Sequence, residues 1–190
     1  MGIGQSAINK GYINDKEAER ICESTYFTEK QVNILATLFR KMTMKFHVDL
    51  ETFCTTLNIE NKEIGEILYN IVDSDGSGNI NFIEFVEGLN IFHPAAPFKE
   101  KAKMCFQAYD RDGSGLVSKD EILKVLKISL RNNDLIDFED AKVDQLANQL
   151  VKEYSRNNTG ELSYPEFYTM VQNAPGVIES FDLDIDTLFA

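Results

Sequence analysis

Between Asp110 and Glu121 the chain reads DRDGSGLVSKDE, and oxygen-bearing side chains fall on alternate residues at Asp110, Asp112, Ser114 and Ser118. Leu116 lends a backbone carbonyl, Glu121 closes the set with a two-oxygen carboxylate, and Gly115 stands where the chain must turn sharply. A twelve-residue loop offers ligands in this way from positions 1, 3, 5, 7, 9 and 12. They suit calcium, a hard dication that takes six to eight oxygens at about 2.3–2.6 Å. Few other uses of a chain demand that spacing.

The arrangement recurs upstream as DSDGSGNINFIE, with Asp73, Asp75, Ser77 and Asn81 as side-chain oxygens, Asn79 as carbonyl donor, Gly78 at the turn and Glu84 closing. Both loops place serine, Ser77 and Ser114, where the strict pattern has Asp or Asn. A hydroxyl is still a hard oxygen, so binding is expected with one charge fewer. An acidic, glycine-rich turn between helices would also show Asp and Gly, but not Asp, Gly and Glu in one register twice. Two strong calcium sites are therefore expected.

These loops resemble EF-hands, the helix–loop–helix calcium module. The general form of the chain, with its early Gly2 and the run EFVEGLNIF followed by a second lobe, is similar to calcineurin B and its relatives, among them the neuronal calcium sensors and the calcium-and-integrin-binding proteins. The resemblance implies a non-catalytic subunit whose partner, such as a phosphatase or kinase, does the chemistry. Resemblance to calcineurin B would imply four competent loops, and to the calcium-and-integrin-binding proteins a competent third and fourth. Here the second and third are complete, a pattern shared in part with the neuronal sensors.

The elements that must position these loops follow from the apolar spacing, which predicts an all-α fold of two EF-hand lobes: four helix–loop–helix units, two of them degenerate, with short paired strands between loops. The predicted organisation is a flexible tail over 1–12, an N-terminal lobe over 13–92, a linker over 93–97, a C-terminal lobe over 98–174 and an apolar tail over 175–190. Asn14 or Asp15 can cap a short helix through Cys22, and Thr28 with Gln31 forms a capping box for a longer one, in which Val32, Leu35, Phe39 and Met42 recur at steps of three and four. The first loop has failed. Lys41, Thr43, Lys45 and Phe46 stand where ligands and the turning glycine belong, and His47 has no second nitrogen or sulfur ligand nearby. Val48 can still pair with Ile80 of the next loop, and Asn61 is placed to cap the helix before it. His93 and the prolines Pro94 and Pro97 break the helical pattern and mark the linker.

In the second half, Arg131 to Asp137 reads as a polar connector, with Asp137 capping the next helix. The fourth loop, SRNNTGELSYPE, keeps Gly160, Leu162 and Glu166 but opens with Ser155, and Asn157, Thr159 and Ser163 are neutral. Ligand charge sets affinity in such loops, so this one is expected to be vacant at cellular calcium. Leu162 is expected to pair with Val117, and Pro165 is tolerated near a helix start. Asn173 to Gly176 stops the last helix. Beyond it Phe181, Leu183 and Ile185 alternate with aspartates, so an extended segment would show one apolar face.

The chain of 190 residues is 43% hydrophobic, enough to bury real cores, and its net charge of −12 argues against nucleic acid or an anionic membrane as the main partner. Cys22, Cys54 and Cys105 are odd in number and share no CxxC spacing, which indicates neither a disulfide framework nor a zinc site and points to a reducing compartment. No apolar run reaches the ~18 residues of a membrane span, and a secretion signal is not expected. MGIGQS fits the pattern for myristate on Gly2, and equally a flexible tip of small residues. One such chain gives only marginal membrane affinity, and Lys10, Lys16 and Arg20 supply little basic support.

The expected function is that of a cytoplasmic calcium sensor, a regulatory or adaptor subunit that presents an apolar groove to a partner helix, with at most weak membrane association. The alternatives are a constitutive structural subunit of a cytoskeletal or ciliary assembly, and a calcium buffer. An enzyme is not expected: the acidic residues are spent on metal loops, and the glycines lack a phosphate-loop pattern.

Overall fold

A computed structural model describes residues 13–43, 47–131, 139–156, 159–179, 181 and 183–189. Gly2, Lys10, Lys45, Phe46, Asp137 and Asn157 lie outside the described residues. The chain forms two compact units. The first gathers residues 1–58, 72–96 and 183–190, the second 59–71 and 97–182.

In the first unit, α1 (Asp15–Ser24) and α2 (Glu29–Met42) open as the capping signals predict. Asn14 and Glu17 form a reciprocal box at one, Thr28 and Gln31 at the other, and α1 runs two residues past the expected Cys22. The apolar stripe of α2 buries Val32, Leu35, Ala36 and Phe39. Phe39 meets the rings of Phe82 and Phe85 at centroid distances of 5.4 and 5.5 Å on α5 (Phe82–Asn90). Each such buried phenylalanine stabilises the fold by roughly 1.5–3 kcal/mol. A short α3 (Leu50–Thr56) is capped by Asp49 and buries Phe53. Just before it, Val48 forms the expected antiparallel bridge with Ile80. His93, expected in a linker, lies against two aromatic rings, stacked on Tyr26 at 6.0 Å and edge-on to Phe27 at 5.2 Å.

In the second unit, α4 (Lys62–Val72) contributes its residues up to Ile71. Asn61 caps α4 by accepting from the backbone N–H groups of Glu63 and Ile64, and its amide donates to the carbonyl of Ile128 at 3.1 Å. The rest is α6 (Phe98–Tyr109), β1 (Leu116–Ser118), α7 (Lys119–Arg131), α8 (Asp140–Tyr154), β2 (Glu161–Ser163), α9 (Tyr164–Asn173) and α10 (Gly176–Glu179). The strands β1 and β2 are antiparallel, with Val117 opposite Leu162 as expected and both fully buried. Pro165 sits in the first turn of α9, where its missing N–H costs nothing. The helix expected behind Asp137 begins at Asp140 behind Glu139, without a side-chain cap.

The C-terminal tail is not one extended segment. Val177 and Phe181 are buried in the second unit, while Ile185 and a 3-10 turn over Asp186–Phe189 belong to the first, where that turn packs on α2. Among the described residues no helix is long and apolar enough to cross a membrane.

Candidate metal centres

In both complete loops the closing glutamate is also part of a helix cap. Asn81 Oδ1 accepts from the backbone N–H groups of Ile83 and Glu84 at 2.9 and 3.1 Å, and Glu84 Oε2 accepts in return from the Asn81 N–H at 2.9 Å. The other oxygen, Glu84 Oε1, reaches back across the loop to the Ser74 hydroxyl and the Asp75 N–H at 3.1 and 3.2 Å. Glu121 repeats this. Its Oε2 accepts from the Ser118 N–H and hydroxyl at 2.9 and 2.8 Å, and its Oε1 from the Arg111 N–H at 3.0 Å. A carboxylate at the third helical residue is thus held over the loop by the start of its own helix.

From the opposite side come the aspartates. Asp73 accepts from the Gly78 N–H at 2.8 Å and Asp110 from the Gly115 N–H at 2.9 Å. These turns place φ at 80° for Gly78 and 79° for Gly115, a region where a Cβ is strained. The Ser77 hydroxyl lies 3.3 Å from Asp73 Oδ1 and 3.0 Å from the Asn79 carbonyl. Likewise the Ser114 hydroxyl lies 3.3 Å from Asp110 Oδ1 and 3.0 Å from the Leu116 carbonyl. Hydrogen bonds from Ser77 and Ser114, the hydroxyls foremost, hold Asp75 and Asp112 below the usual carboxylate range and keep them ionised at neutral pH.

Carboxylate oxygens of Asp73, Asp75 and Glu84 lie within 4.8 Å of one another, and so do those of Asp110, Asp112 and Glu121. Asp73, Glu84 and Glu121 are buried. Among the described residues no lysine or arginine forms an ion pair with any of the six. Three neighbouring carboxylates without a cation repel one another, and desolvation raises the cost. An all-oxygen, anionic set of this kind fits a hard dication and not a softer metal that prefers nitrogen or sulfur.

The fourth loop keeps the same frame without the charge. Glu166 accepts from the Arg156 and Ser163 N–H groups, each at 2.8 Å, and from the Ser163 hydroxyl, and these bonds lower its pKa, that hydroxyl most. Where Asp110 brings a carboxylate, Ser155 brings a buried hydroxyl 3.4 Å from that of Thr159. In the first loop the Thr43 hydroxyl accepts from the His47 N–H at 3.0 Å, and His47 is exposed and joins no acidic cluster among the described residues.

Helix–loop–helix units whose loops pair through short antiparallel contacts, with acidic clusters at the loop ends, define an EF-hand protein. A family model described as an EF-hand domain pair matches residues 99–172. The chain is 29% identical over 169 residues to calcineurin B of Yarrowia lipolytica, covering 88% of this chain and 95% of that protein. It is 25% identical over 186 residues to calcineurin B of Schizosaccharomyces pombe, covering 97% and 99%, and 25% identical over 173 residues to calcineurin B type 2 of Dictyostelium discoideum, covering 90% of each. The chain is an EF-hand protein homologous to calcineurin B. Its relatives are named as the B subunits of calcineurin, in line with the non-enzymatic expectation.

Two relationships around these loops escape the ligand spacing. Gly88, one turn beyond Glu84, packs directly on Val72, and Tyr109, the residue before Asp110, donates to the carbonyl of Val177. The glycine interrupting the apolar run EFVEGLNIF was the available signal for the first; nothing local announces the second.

Proposed function

We propose that the chain is a calcium-responsive regulatory subunit, taking one ion in its second loop and one in its third and presenting an apolar groove to a partner protein. The second loop would use the side chains of Asp73, Asp75, Ser77, Asn81 and Glu84 with the carbonyl of Asn79. The third would use Asp110, Asp112, Ser114, Ser118 and Glu121 with the carbonyl of Leu116. Calcium supplies the positive charge that offsets the repulsion within each triad. The observation that carries the reading is that convergence of three carboxylates, twice, without a basic partner among the described residues.

Glu84 and Glu121 are third residues of α5 and α7, so drawing their carboxylates into the loops turns the helices that follow. A turn of that kind exposes apolar surface. Because the relatives are named as subunits of calcineurin, the partner is taken to be the companion subunit of a calcineurin-type assembly, docking an apolar helical stripe. The lobes are read as 13–92 and 98–174, joined by 93–97, with Gly2 a candidate for myristate and the location cytoplasmic.

Calorimetric titration of the purified chain tests the first step. Two sites with Kd roughly between 10⁻⁷ and 10⁻⁵ M are expected, accompanied by a rise in fluorescence of an apolar-surface dye. Absence of uptake at micromolar calcium would overturn the reading, while uptake without the dye response would indicate a buffer.

A further inference from the structure

We infer that Gly88 is the positioning residue of the second hand: the missing side chain lets α5 lie against Val72 and so keeps Glu84 within reach of Asp73. The inference rests on the reading of the 73–84 loop as a calcium site. Gly88 follows Glu84 by four residues, so both face the same side of α5. A Cβ at position 88 would stand 2.5 Å from Val72 Cγ2, 2.7 Å from Cγ1 and 3.1 Å from Cβ. Carbon atoms pack at about 3.5–4.0 Å, so no side chain fits there without movement.

The glycine is there for space and not for backbone freedom. It lies inside a helix, where glycine is a poor former, and its φ is not among the positive values of the chain. Val72 is 5% exposed and Gly88 is also buried, so neither has an open side to retreat to. Val72 is bonded to Asp73, the first ligand of the loop, and one rigid helical turn joins Gly88 to Glu84, the last. The contact therefore sets the distance between the two ends of the loop, whose carboxylates converge within 4.8 Å. With a methyl group at 88, either Val72 withdraws and takes Asp73 along, or α5 withdraws and takes Glu84.

The test is a mutant cycle of Gly88→Ala, Val72→Ala and the double variant, each in a Glu121→Gln background so that calorimetry with calcium chloride reads the second hand alone. Gly88→Ala should weaken uptake by about tenfold or more, as loss of support behind a ligand does. Val72→Ala should change it little, and the double variant should return close to Val72→Ala because the smaller side chain makes room. In chelator, thermal unfolding should show a lower midpoint for Gly88→Ala and, through the lost buried methyl groups, for Val72→Ala, with the double variant losing clearly less than the two single losses added together. Gly88→Ala binding as tightly as its parent, or a double variant without recovery, would overturn the inference. If Gly88→Ala does not fold, recovery of fold and uptake in the double variant decides. Should the Glu121→Gln parent take up no calcium, the second-hand site itself falls, and the metal-free cycle still decides whether the contact holds the loop ends.

Discussion

Tyr109 donates its phenolic proton to the backbone carbonyl of Val177 at 2.8 Å, in a bond that is buried at both ends. The ring is fully enclosed, 5.3 Å from Phe167 and 5.9 Å from Phe181, so it joins the residue before the third loop to the tail that follows the last hand. Tyr109→Phe keeps the packing but leaves the carbonyl without its donor. A loss of about 1–3 kcal/mol is expected in urea unfolding, with faster amide exchange in the tail around Val177. Phe181→Ala removes the ring as well and should cost about 3–5 kcal/mol. A Tyr109→Phe variant as stable as the parent would mean that the tail is held by apolar burial alone.

Glu121→Gln keeps the length of the closing side chain, and its amide oxygen can still accept from Ser118, while its NH2 cannot accept from the Arg111 N–H and one ligand charge is removed. Calorimetry should lose one of the two calcium events and retain the other, because the second loop holds its own triad of Asp73, Asp75 and Glu84. Loss of both events would mean that the second loop takes up no calcium by itself, and loss of neither would remove Glu121 from the site.

The convergence of the two acidic triads, the Thr28–Gln31 box and the pairings of Val48 with Ile80 and Val117 with Leu162 were legible because each depends on residue type at fixed local offsets. A capping box needs only four neighbouring residues, and a loop strand lies at the same position in every repeat. What stayed hidden depends on three-dimensional approach. Tyr109 and Val177 are 68 residues apart, and a phenol carries no mark of its acceptor. Asn61 shows in sequence as a cap, and its second bond, to Ile128, does not. The alternation of Phe181, Leu183 and Ile185 suggested an extended strip, yet the tail divides between the two units and ends in a 3-10 turn, since a single buried face can be made without a strand.

Asp49 caps α3 through the Thr52 N–H at 2.9 Å, and that bond and then one from the Thr52 side chain, with smaller help from His47, hold its carboxyl below the ordinary value of 3.8. A depressed folded pKa means that the stabilisation is complete above the unfolded value and is lost as the pH falls through the folded one. The stability of the parent should therefore fall more steeply below about pH 3.8 than that of Asp49→Asn, which caps well without titrating. At neutral pH Asp49→Ala should cost about 1 kcal/mol and Asp49→Asn far less. Parallel acid unfolding curves for parent and Asp49→Asn would show that the cap bond does not govern this ionisation.

The fourth loop can be turned into a site, because its described residues already repeat the frame of the third. Gly160 holds φ at 80°, as Gly78 does, Leu162 pairs with Val117, and Glu166 is fixed over the loop by Arg156 and Ser163 as Glu121 is by Arg111 and Ser118. What is missing is charge at the entry. Ser155→Asp combined with Asn157→Asp supplies the two carboxylates that Asp110 and Asp112 give the third loop, and Thr159 already offers a hydroxyl in the place of Ser114. Calorimetry of the double variant should show a third calcium event that Glu166→Gln removes. Without calcium the variant should be less stable than its parent, since Ser155 is buried and an aspartate there is uncompensated until a cation arrives. A variant that folds, keeps two events and gains none would show that the backbone of the fourth loop, and not its charge, is what bars the ion.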